Sequence, residues 1–149
     1  MIHRLGVLAL VAYWASMFVG THLPNPGLDR LSVSDKTLHF SGYFGLGLLL
    51  SWVLLKFRPS IAGMLTTMVI VGVYGMADEL TQELVPSRTA DAWDWAADVG
   101  GGMMGMSVYL AAVGLGCVAS RMWHTWQDRR AGEAGCAGGP DVTILSDSA

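Results

Sequence analysis

The sequence predicts an all-α protein: a four-helix transmembrane bundle with a charged cluster at its extracytoplasmic face. Three observations carry this. The chain of 149 residues is 52% hydrophobic and 14% charged, with mean hydropathy +0.44, whereas soluble domains carry about 25% charge. The deficit is concentrated in four apolar runs of bilayer-crossing size, separated by breaks containing Pro or Gly. Charge returns in one stretch, Tyr74 to Gly105, where Asp78, Glu79, Gln82, Glu83, Arg88, Asp91, Asp94 and Asp98 lie between two apolar runs. The length allows one domain. A net charge of −3 leaves no basic footprint for nucleic acid. Cys117 and Cys136 have no partners at metal-site or disulfide-framework spacing, and Cys117 reads as a small packing residue.

The first run, Leu5 to Gly20, follows His3 and Arg4. A basic start and an apolar centre also fit a signal peptide. The bulky exit through Tyr13, Trp14, Met17 and Phe18, with no A-x-A site, favours a retained helix. At about 1.5 Å per residue it spans the hydrocarbon if Thr21 and His22 sit at the interface. Pro24, Asn25, Pro26 and Gly27 then form a turn, and Ser34 or Asp35 caps the next helix. The second run, Thr37 to Leu55, ends at Lys56–Pro59, and its Gly42, Gly45 and Gly47 leave room for close helix approach. The third, Ile61 to Ala77, runs into the acidic cluster. The fourth, Ala96 to Val118, carries the small-xxx-small pair Gly101 and Gly105 and finishes among Arg and Trp residues. From about Ala131 the chain has little to bury and reads as a disordered tail.

With four spans, Arg4, Lys56, Arg58, Arg121, Arg129 and Arg130 share one side, and Arg30, Lys36 and Arg88 the other. That bias favours cytoplasmic termini and an outward-facing cluster.

Lys36, His39 and Tyr43 share one face at i, i+3, i+7, and so do Asp91, Asp94 and Asp98. Antiparallel packing brings both sets to the end where Asp78, Glu79 and Gln82 finish the third helix. An ionisable group at the bilayer centre costs about 2.5–3.5 kcal/mol on insertion scales, and less at the edge. The acids are therefore expected to pair with Lys36, His39 and Arg88, to bind a cation, or to line a wet cavity. Plainer readings exist for each: snorkelling for Lys36 and Arg88, a satisfied buried imidazole for His39, and a favourable helix dipole for Asp91 and Asp94. Asp98, a turn or two inside the helix, escapes that last explanation. The spacing of Asp91, Asp94 and Asp98 offers oxygen ligands to Mg²⁺ or Ca²⁺, but it is weak evidence. No cofactor is predicted, and HExxH, P-loop and GxSxG motifs are all missing.

The stretches DKTLHFSGYF and YGMADELTQELVPSRTADAWDWAADVGGGMMG resemble the VanZ-like family. That pattern runs K-x-x-H-x-x-x-Y, D-E-x-x-Q and R-x-x-D-x-x-D, then an acid or Asn before a Gly-rich helix. It is met by Lys36, His39, Tyr43, Asp78, Glu79, Gln82, Arg88, Asp91, Asp94, Asp98, Gly101 and Gly105. Asp98 departs from it, since relatives often carry Asn there. The resemblance covers roughly residues 5–118 and implies a multi-pass cell-membrane domain, which we assign to residues 1–123, leaving 124–149 as a disordered cytoplasmic tail. The family is named for a teicoplanin-resistance accessory protein, which implies a bacterial cell-envelope role and no settled enzyme chemistry. The expected activity is binding of a polar lipid headgroup, a lipid-linked envelope precursor or a glycopeptide-like ligand by these ten polar residues. A membrane enzyme acting on a phospho-lipid through a metal or His-carboxylate site is the alternative, and a purely structural ion-pair network is the third reading.

Overall fold

In a computed structural model, which describes residues 2–22, 34–86 and 88–137, the chain forms four α-helices. They are α1 (Ile2–His22), α2 (Asp35–Leu55), α3 (Ile61–Gln82) and α4 (Ala92–Ala137). No strand occurs among the described residues. The turn expected at Pro24–Gly27 lies outside them. All four helices are long and apolar enough to cross a membrane. The 21 residues of α2 rise about 31 Å, the thickness of a hydrocarbon core.

The chain divides into two compact units, Met1–Val113 and Gly114–Ala149. In the first, α2 is central. Its Tyr43, Leu46 and Leu50 pack with Leu10 of α1 and Val71 of α3. Outward, α3 presents Ile61, Leu65, Val69, Val73, Met76 and Leu80, all exposed and three or four residues apart. Such a continuous apolar stripe would drive aggregation in water and faces lipid in a bilayer.

Local sequence explains the boundaries. Ser34 caps α2, its hydroxyl accepting the Thr37 N–H. Lys56 and Phe57 turn the chain through positive φ, 44° and 62°, and Ser60 caps α3 through the Gly63 N–H. The Tyr109 hydroxyl of α4 accepts the Phe57 N–H at 2.9 Å, fastening the α2–α3 turn. At the opposite end, Asp91 Oδ1 accepts the Trp93 N–H and starts α4.

Glycines set the α2–α4 spacing. A Cβ on Gly101 would strike the Phe40 carbonyl oxygen, one on Gly105 the Phe44 carbonyl oxygen, and one on Gly47 the backbone of Gly102. These obstacles are backbone atoms that cannot rotate away. On the other face of α2, Gly42 and Gly45 admit α1: the Tyr13 hydroxyl donates to the Gly42 carbonyl at 2.9 Å, and its ring fills the space over Gly45.

Three expectations change. The third helix continues past Ala77 through the acidic residues to Gln82. The stretch from residue 124, expected as a disordered tail, is helical as far as Ala137, and residues 138–149 lie outside the described set. Arg, Gln, Glu and Ala are strong helix formers, and in this second unit Trp123 stacks on Trp126 at 5.2 Å while Arg130 covers Trp126 at 4.1 Å. Cys117, expected to be packed, is exposed.

Gly101→Leu and Gly105→Leu are each expected to destabilise the bundle by at least the usual overpacking cost of about 1–3 kcal/mol. Thermal unfolding in detergent checks this, with Gly116→Leu as control, because no atom of the described residues lies within 4 Å of a Cβ there.

Candidate functional site

The polar residues of four helix ends meet at one end of the bundle. The last turn of α1 brings Thr21 and His22, the first three turns of α2 bring Lys36, His39 and Tyr43, and the end of α3 brings Asp78, Glu79 and Gln82. The loop and the start of α4 add Arg88, Asp91, Asp94 and Asp98. The side chains form two networks joined through α3.

The first network ties α2 to α4. Lys36 Nζ donates to Asp91 Oδ2 at 2.8 Å and to Asp94 Oδ1 at 2.9 Å. One turn deeper, His39 Nδ1 is 2.9 Å from Asp98 Oδ1 and 3.6 Å from Glu79 Oε1. Glu79 Oε2 accepts the Asp91 N–H at 3.0 Å, so α3 holds the residue that caps α4. Beneath them the Trp95 indole donates to the Gly72 carbonyl at 3.0 Å. Tyr43 is fully buried, with its ring centroid 5.7 Å from that of Tyr74.

The second network joins α1 to α3 and the loop. Asp78 Oδ1 accepts from Thr21 Oγ1 and Asp78 Oδ2 from Gln82 Nε2, both at 3.0 Å. Gln82 Oε1 accepts from Arg88 Nη1 at 3.1 Å. His22 adds a contact of 2.9 Å from Nε2 to the Thr81 hydroxyl. The spans place these groups at a bilayer edge, where each satisfied carboxylate avoids a desolvation penalty.

Of the three cations expected to answer the acids, Lys36 and His39 do so. Arg88 instead meets the Gln82 amide. The helical spacing that offered Asp91, Asp94 and Asp98 as one metal triad does not bring them onto one point. Lys36 engages the first two and His39 the third, and the carboxylate grouped closely with His39 and Asp98 is Glu79. The sequence reading also missed α1. Thr21 and His22 looked interfacial, and only their position at a helix end facing the cluster marked them.

A cavity of about 210 Å³ opens beside these networks between α1 and α2. Met17, Gly20, Leu38 and Gly42 give it apolar walls, and Thr21, Asp35, His39, Tyr43 and Arg88 give it polar groups.

The Lys36 ammonium, helped by the Trp93 N–H, holds the Asp91 carboxyl below the ordinary carboxylate range. A lowered folded-state value stabilises the fold above the ordinary titration point near 3.8, and that contribution disappears as pH falls through the folded value. Asp91→Asn keeps a capping side chain and loses the charge. It is expected to unfold at lower temperature than wild type at neutral pH, with the gap closing in acid and shrinking in high salt. Thermal melts across pH and salt check this.

No curated protein and no solved structure matches the chain. A family model described as VanZ/LLP1 matches residues 5–114, well over half of it and nearly the whole of the first compact unit. With its membrane-length helices, the protein is an integral membrane member of the VanZ/LLP1 family.

Proposed function

We propose that the protein binds the anionic, phosphate-bearing headgroup of a membrane lipid or lipid-linked envelope precursor in the cavity between α1 and α2. The observation that carries this is the composition of the cavity: an Arg and a His against the single carboxylate of Asp35, beside walls of Met, Leu and Gly. Its volume of about 210 Å³ is below the roughly 300–1,000 Å³ of drug-sized sites. It suits a headgroup whose chains stay in the bilayer.

The networks divide the labour. Lys36 is engaged by Asp91 and Asp94, so it fixes the α2–α4 junction. Arg88 is the cavity's guanidinium. Gln82 orients it through Nη1, and Asp78 orients Gln82. A guanidinium fork matches phosphate oxygens bidentately. The Lys and Arg bias favours cytoplasmic termini, which turns the cavity to the outer leaflet. A headgroup site there fits the cell-envelope role that the family name implies.

Native mass spectrometry of protein released from nanodiscs tests the reading, with phosphatidylglycerol and phosphatidylcholine in competition. Wild type is expected to retain the anionic lipid selectively. Arg88→Gln is expected to retain at least about tenfold less, as losing a charge-assisted bond of about 1.5–3 kcal/mol requires. Equal retention by folded variant and wild type would contradict the proposal and favour a purely structural network.

A further inference from the structure

His39 on α2, Glu79 on α3 and Asp98 on α4 form a compact triad under the Lys36 bridge. One donor atom from each lies within 4.8 Å of the other two. The residues are buried, with 5%, 5% and 0% of their surface exposed. Their hydrogen bonding is half complete. Glu79 Oε2 accepts the Asp91 N–H and Asp98 Oδ1 meets His39, while Glu79 Oε1 and Asp98 Oδ2 have no hydrogen-bond partner among the described residues. The buried hydroxyl of Tyr43, on the same α2 face as His39, has none among them either.

Charge makes the imbalance sharper. Two carboxylates face one imidazole in a place without water-like solvation, where uncompensated charge costs several kcal/mol. Lys36 is committed to Asp91 and Asp94, and Arg88 Nη1 to Gln82. A further positive charge would balance the site and satisfy both orphaned oxygens.

We propose that His39, Glu79 and Asp98 bind a divalent first-row transition ion of the zinc class. One imidazole nitrogen and two carboxylate oxygens are a donor set for such ions. Ca²⁺ takes six to eight oxygens and Mg²⁺ keeps several waters, so both fit this enclosed triad poorly. Zinc ligands at about 2.0–2.2 Å in a tetrahedron lie roughly 3.4 Å from one another. His39 Nδ1 is 2.9 Å from one carboxylate and 3.6 Å from the other, and all three donors lie within 4.8 Å of one another, so side-chain rotations can bring them to that spacing. His39 also lines the cavity, which gives the ion an entry path. The site stands whether or not the cavity holds a lipid.

The test uses the full-length protein purified without a polyhistidine tag, stripped with chelator and dialysed against Zn²⁺. Metal analysis should find one ion per chain, and the melting temperature should rise with Zn²⁺ concentration. Glu79→Gln and Asp98→Asn, which keep shape and remove charge, should each lose the ion and the shift. If neither variant folds, Co²⁺ loaded into wild type decides: visible absorption bands displaced by Zn²⁺ support the site, and their absence overturns it. A wild type that retains no ion and shows no shift overturns it, with protons then balancing the carboxylates. Equal retention by wild type and both folded variants also overturns it, as an adventitious ion only.

Discussion

Asp98 lies inside a helix that crosses the membrane, without solvent to accept its charge, and its carboxylate meets His39 of α2 at 2.9 Å. That contact sets conditions on everything near it. The two helices must approach closely enough for short side chains to touch, and they must do so in one register. Gly101 and Gly105 meet the first condition by exposing bare backbone to the carbonyls of Phe40 and Phe44. The Lys36 bridge to Asp91 and Asp94, one turn nearer the end, meets the second. Apolar packing alone discriminates weakly between registers in lipid, where tails are as apolar as side chains. Polar contacts at the helix ends supply the missing specificity.

Helix α3 carries the arrangement to the rest of the domain. Asp78 and Glu79 are sequence neighbours that point to different partners. Glu79 reaches His39 and the backbone of Asp91, while Asp78 reaches Thr21 and Gln82. Glu79 therefore ties α3 to α2 and to the start of α4, and Asp78 ties it to α1. At the other end of the bundle, the Tyr109 hydroxyl on the Phe57 N–H provides one neutral tie. The contrast in polarity between the ends is what separates a scaffold from a candidate site. The lower end needs only to close a turn, whereas the charged end maintains a cavity beside a dense set of titratable groups, an expensive feature unless it is used.

Much of this was legible from residue order. Four apolar runs of membrane length specify four helices, and Lys36, His39 and Tyr43 at helical spacing announce an inward polar face. What spacing could not show was which acid answers which cation. Asp91, Asp94 and Asp98 share a face, but they stand at successive levels along α2, so the set divides between Lys36 and, one turn deeper, His39. Glu79 joins His39 and Asp98 through tertiary approach alone. Thr21 and His22 were hidden for a similar reason: a hydroxyl and an imidazole at a helix end look the same whether they meet water or a buried carboxylate. The helix beyond residue 124 was missed because low apolar content was weighed above the propensity of Arg, Gln, Glu and Ala.

The central claim is that a direct, buried interaction between His39 and Asp98 holds α2 and α4 together. A double-mutant cycle measures it: wild type, His39→Ala, Asp98→Ala and the double variant, compared by reversible unfolding in detergent micelles. The account predicts strong non-additivity, with a coupling energy above about 1 kcal/mol and a double variant little worse than either single one. Effects that add to within roughly 0.3–0.5 kcal/mol would show two independent residues and contradict it.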